Sequence, residues 1–101
     1  MRYYIIGDED AVLGFGLVGV EGTAVQGAEQ AREVIKTVLE QPDIGIVIIT
    51  ERVADLIRPQ VDRYIFTRSF PLIVEIPDRQ GPLVGKPGIR EMVNQAIGIK
   101  L

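Results

Sequence analysis

The stretch Asp43-Ile-Gly-Ile-Val-Ile-Ile-Thr50 constrains the fold more than any other. A strand wetted on one side alternates apolar and polar residues, and Ile44, Ile46, Val47, Ile48 and Ile49 do not alternate. Short β-branched runs of this kind suit a strand of a parallel sheet whose two faces are both covered by helices. A buried helix is the competing reading. The run is short for a helix, rich in Ile and Val, and opened by Pro42-Asp43, which favours the strand. It is taken as the central strand of a small α/β domain.

The flanking segments fit that frame. Tyr3–Ile6 predicts a first strand ending at Gly7. Asp8-Glu9-Asp10 then supplies a cap and an acidic first turn for a helix, with Ala11, Val12, Phe15 and Val18 on its apolar face. Gly22–Val25 predicts a short edge strand. The next helix, from about Gly27 to Glu40, lines one face with Ala28, Ala31, Ile35, Val38 and Leu39 and wets Glu29, Arg32, Glu33 and Lys36. Glu51 to about Tyr64 reads as helical, and Pro59 within it predicts a kink or two short helices. Leu72–Ile76, bracketed by Pro71 and Pro77, predicts a fourth strand at an edge. Pro77–Gly88 reads as a proline- and glycine-rich tether. Ile89, Met92, Val93, Ala96 and Ile97 then fall at the spacing of an amphipathic helix.

The expected fold is therefore α/β: a small doubly wound (Rossmann- or CheY-like) domain with a four-stranded parallel sheet in the order 2-1-3-4, plus a C-terminal amphipathic helix. Residues 1–76 form the α/β part and 77–101 the tether and last helix of the same single domain.

Composition removes most chemistries. The chain has 101 residues, 47% hydrophobic and 25% charged, enough to bury a core, and a net charge of −3. It has no cysteine and no histidine, so a thiolate nucleophile, a disulfide framework and the commonest metal and acid–base groups are excluded. Ser69 is its single serine. No basic run points to nucleic acid, and no apolar run is long enough to span a bilayer. No N-terminal signal pattern is present.

Three local features invite sharper readings. Gly14-Phe-Gly-Leu-Val-Gly19 matches the dinucleotide fingerprint G-x-G-x-x-G, yet that chemistry needs the glycines in the turn after the first strand. Here the turn holds three carboxylates, and Gln26 replaces the ribose-binding acid. Asp8, Glu9 and Asp10 could hold Mg²⁺ as in a phospho-receiver domain. Such a domain also requires an aspartate where Thr50 stands, and a lysine ending a later strand. Helix capping and partner contact is the plainer reading of the three acids. Glu75, Asp78 and Arg79 read as a solvated loop, with a protein contact as the alternative.

Two of these stretches, Ile6-Gly7-Asp8-Glu9-Asp10…Gly14-Phe15 and Phe70-Pro71-Leu-Ile-Val-Glu75-Ile76-Pro77, resemble the G-D-x-D-T-V-x-G-F and F-P-x-x-x-E-I-P segments of the F-subunit family of V-type/A-type ATPases and ATP synthases. Ile48-Ile49-Thr50-Glu51 is similar to that family's central strand and following turn. The likeness runs from Arg2 to Gly98. Ala11 departs from the usual threonine, and Pro59 from a helix usually continuous.

The resemblance implies a non-catalytic rotor part without a cofactor. It would be bound to the coiled coil of the D subunit on the central stalk, within the catalytic A3B3 hexamer and near the membrane-ring adaptor. Such a part is cytoplasmic and peripheral to the membrane, with no direct insertion. On this reading Ile89, Met92, Val93 and Ile97 carry much of the partner contact, with ordinary packing onto the sheet as the alternative for this set, and Phe70, Ile76 and Pro77 form a second patch. Asp8, Glu9 and Asp10 form a weaker, steering contact. A phospho-receiver or phosphocarrier domain is the alternative.

Overall fold

A computed structural model describes residues 1–78. Strand β1 (Arg2–Gly7) leads into helix α1 (Glu9–Gly16), strand β2 (Glu21–Ala24), helix α2 (Ala28–Leu39) and strand β3 (Ile44–Thr50). Helices α3 (Glu51–Leu56) and α4 (Arg58–Thr67) precede strand β4 (Leu72–Ile76). All four strands are parallel, in the order β2-β1-β3-β4, as the residue pattern predicts. The last helix expected from Ile89 to Ile97 lies outside the described residues.

β3 is central because it can be. Ile44, Val47 and Ile49 are fully buried, and they pack with Ile6, Ala31, Ile35, Val38, Val53, Ala54, Ile57 and Val61 into one core beneath α2, α3 and α4. Removing such side chains from water stabilises the fold by roughly 1.5–3 kcal/mol each. The expectation that both faces of β3 are covered holds for one face in full and for the other in part. Ile46 and Ile48, on the opposite face, remain half-buried among the described residues.

Capping sets where helices begin. Asp8, in extended backbone, accepts a hydrogen bond from the Ala11 amide at 2.8 Å, and Glu9 and Asp10 occupy the first turn of α1. Thr50 ends β3 and its Oγ1 accepts from the Val53 amide, so one buried residue closes the strand and opens α3. Pro59 divides the next segment into α3 and α4 rather than kinking it. It sits in the first turn of α4, where its missing N–H breaks no helical bond. Two glycines are dictated by geometry. Gly19 adopts φ +89° in the turn after α1, and a Cβ on Gly22 would lie 2.5 Å from the Ile5 carbonyl oxygen of the neighbouring strand.

Candidate partner-contact surfaces

In an open parallel sheet, ligands enter at the C-terminal ends of the strands. There the structure places Asp8 after β1, Thr50 at the end of β3, Ile76 at the end of β4 and Pro77 just beyond it. Asp8 is engaged as the α1 cap, while Glu9 and Asp10 are exposed on its first turn. Thr50, at the position where a receiver aspartate would stand, is 1% exposed and committed to capping α3. Gly14 and Gly16 lie inside α1 and Gly19 after it, so the G-x-G-x-x-G match faces no strand-to-helix turn. Among the described residues no group of three His, Cys, Asp or Glu side chains is arranged to hold a metal ion. A shallow cleft lined by Tyr4, Thr23, Val34, Thr37 and Gln41 opens beside α2. Gln41 precedes β3, so the cleft reaches the end of the sheet opposite the ligand-entry end.

The second predicted patch is divided. Phe70, 55% exposed, precedes β4, whereas Ile76 ends it and Pro77 follows. A five-residue strand separates them by about 16 Å. Phe70 therefore belongs to one end of the sheet, next to a cis Phe70–Pro71 bond, and Ile76 and Pro77 to the other. Ile76 pairs with Thr50 and is half-buried, and Pro77 is exposed. Ile89, Met92, Val93 and Ile97 lie outside the described residues, and Arg79 with them.

Glu75 and Asp78 are not a solvated loop. The Arg58 guanidinium donates to both carboxylate oxygens of Glu75, at 2.7 and 2.8 Å, and also to Asp62 at 3.3 Å and to Asp55. The fork to Glu75 is the main cause that raises Arg58 above its ordinary pKa. Partial burial opposes it, and Asp55 and Asp62 add to it. This network joins α4 to the sheet edge. Arg52 of α3 donates to Asp78 at 2.7 Å, and the Asp78 side chain is 3% exposed, which fastens the chain where it leaves β4. At the opposite end Arg2 bonds Asp43 at 2.5 Å, Gln41 at 2.7 Å and Glu21 at 2.8 Å. The Arg2 hydrogen bond holds the Asp43 carboxyl below its ordinary range, against the opposing effect of desolvation.

One surface escaped the sequence reading. Tyr3, Leu72 and Val74 are 48, 57 and 37% exposed on the sheet face that also bears Ile46 and Ile48. Strand order and crossover handedness together would have found it. Leu13, Leu17 and Val18 around α1 and Phe66 on α4 are exposed as well.

The profile of the ATP synthase (F/14-kDa) subunit family matches residues 4–93. The chain belongs to that family. Its relatives include the F subunit of the A-type ATP synthase of Thermococcus sibiricus, 37% identical over 107 aligned positions that cover 100% of this chain and 98% of the relative. The corresponding F subunit of Pyrococcus furiosus is 37% identical over 108 positions with the same coverage. The crystal structure of the F subunit of the V-type ATP synthase from Archaeoglobus fulgidus superimposes with a TM-score of 0.66 at 26% identity. It covers 74% of this chain and 95% of its own. The family's members are thus A- and V-type ATP synthase subunits, matched here along nearly their whole length. No helix among the described residues is long and apolar enough to cross a membrane.

Proposed function

We propose that the chain is a non-catalytic rotor component of an A/V-type ATP synthase. It binds the coiled coil of the D subunit on the central stalk and turns with it inside the catalytic A3B3 hexamer. It also lies near the adaptor of the membrane ring, on the cytoplasmic side and without inserting in the bilayer. The observation that carries the reading is the family match over residues 4–93, in relatives aligned to the full chain.

The chemistry agrees with a binding role. At the strand ends Asp8 and Thr50 are committed to capping and Asp78 to an ion pair, while large apolar side chains stand exposed elsewhere on the surface. Coupling ion transport to the nucleotide sites then requires a torsionally stiff body. The Arg58 and Arg52 networks and the continuous core supply that stiffness.

Co-expression with the D subunit encoded by the same genome, followed by size exclusion and titration calorimetry, tests this directly. A stable one-to-one complex is expected. If deletion of the residues after Gly85 weakens it, the last segment carries contact; if not, the contact lies on the body. Absence of any complex would overturn the rotor reading.

A further inference from the structure

Charge is unevenly spread over the body. Residues 1–78 carry thirteen acidic and seven basic side chains, yet Arg63 to Val74 holds no acid at all, the longest such stretch in that span. It runs from the second half of α4 into β4. Arg2, Arg52 and Arg58 are each paired with carboxylates, whereas Arg63 and Arg68 pair with none among the described residues. Their guanidinium carbons lie instead 5.6 and 5.2 Å from the centroid of the Tyr64 ring. A guanidinium resting on an aromatic ring is held in place and keeps its N–H groups for carboxylates.

The apolar neighbours of these arginines are wetted. Every residue from Ile65 to Phe70 is exposed, Phe66 by 88% and Phe70 by 55%. Phe70, parted from Ile76 and Pro77 by β4, thus falls in with Phe66 at the C-terminal end of α4. Tyr, Phe and Arg without Lys, Asp or Glu is the composition of the buried centre of a protein interface, not of an ordinary wetted surface. A single-stranded nucleic acid also stacks on aromatic rings. Two guanidiniums on a body of net charge −6, however, make no basic track for its phosphates.

We propose that the C-terminal end of α4 docks an acidic amphipathic helix of another subunit. Arg63 and Arg68 each take a carboxylate of that helix, and Phe66 and Phe70 seat on its apolar stripe. Charge names the occupant, since the two guanidiniums have no carboxylate of their own among the described residues, and Asp43 and Glu21 are already held by Arg2. Spacing agrees. Both guanidinium carbons share one ring and so are at most about 11 Å apart. Carboxylates three or four residues apart on a helix rise from Cβ atoms about 5–6 Å apart and splay further at their ends, so one helix can serve both arginines. That the helix belongs to a subunit of the assembly rests on the rotor reading.

The test uses the soluble assembly purified with all its native subunits. Phe66 is replaced by photoreactive p-benzoylphenylalanine, and in a second preparation Leu17, equally exposed on the other side of the domain's chain order, serves as the control. Linked peptides are read by mass spectrometry after irradiation. Position 66 should capture one segment whose carboxylates recur three or four residues apart beside apolar residues, and position 17 should not reach it. Arg63→Glu with Arg68→Glu should cut that crosslink at least tenfold while Tm hardly moves, because both side chains are exposed. Lysines in place of the captured carboxylates should then restore it. No crosslink from position 66, capture of a neutral or basic segment, or a yield indifferent to the charge reversal would overturn the proposal. So would binding of a twelve-nucleotide single strand, followed by fluorescence anisotropy, that the same reversal abolishes. If the unaltered chain still joins the assembly, those failures leave the rotor reading intact; an unaltered chain that joins no assembly overturns both.

Discussion

Replacing Arg58 by methionine should destabilise the fold by about 2–3 kcal/mol. Methionine keeps most of the aliphatic stem, so the change reports the guanidinium rather than packing. The fork to Glu75 joins side chains only 28 and 23% exposed, at 2.7 and 2.8 Å. Hydrogen bonds to charged groups contribute about 1.5–3 kcal/mol when well shielded, and partial exposure reduces the fork to about 2. The pairs with Asp55 and Asp62, three and four residues away along the chain, add about 0.3–0.5 kcal/mol each. In a domain of this size each kcal/mol lowers Tm by about 4–8 °C, so a fall of roughly 10–20 °C is expected. Urea unfolding at pH 7 would measure the free energy. A double-mutant cycle with Glu75→Gln should return a coupling of at least about 1 kcal/mol. Arg58→Lys should recover only part of the loss, because an ammonium cannot make the planar fork. A cost below about 0.5 kcal/mol for Arg58→Met, or no coupling to Glu75, would refute the claim that this network fastens α4 to the sheet.

Asp8→Ala should lower stability by about 0.5–2 kcal/mol through loss of the bond to the Ala11 amide, read by thermal unfolding, with Asp8→Asn losing less. Gly22→Ala should destabilise by about 1–3 kcal/mol or more, since the new methyl meets a backbone carbonyl that cannot rotate away; unfolding in urea checks it. Asp43→Asn tests the pH dependence. The native carboxyl titrates below its unfolded value, so its contribution is present above the unfolded pKa and disappears as pH falls through the native one. Scans of Tm from pH 7 to pH 2 should therefore show the variant below the parent at neutral pH, with the gap closing in acid.

Much of the body was legible because the informative residues act locally. The Ile and Val run fixed β3, Asp8 fixed the start of α1, and Pro59 pointed to the division between α3 and α4, whereas the Thr50 cap of α3 came from the structure alone. What was not legible depends on distance in space. Arg58 and Glu75 are 17 residues apart, and no spacing rule joins a helix residue to a strand beneath it. Phe70 and Ile76 are close in the chain, yet an extended strand carries them to opposite ends of the sheet. Ile46 and Ile48 look like core in a one-dimensional pattern. Their half-exposure follows from the order of the strands, which leaves one face with one helix among the described residues.

That strand order also governs how the chain can be made. β1 is synthesised first, but its partner on one side is β3, with Tyr3 opposite Ile46, 43 residues later. At roughly 5–20 residues per second, Tyr3–Ile6 waits about 2–9 s on the ribosome before that strand exists, and longer before it has left the exit tunnel. During that time its only available strand is β2, four residues long and itself an edge. A nascent chain halted before Thr50 therefore lacks the strand that organises the sheet. Its apolar N-terminal strand is then exposed to chaperones and to other nascent chains.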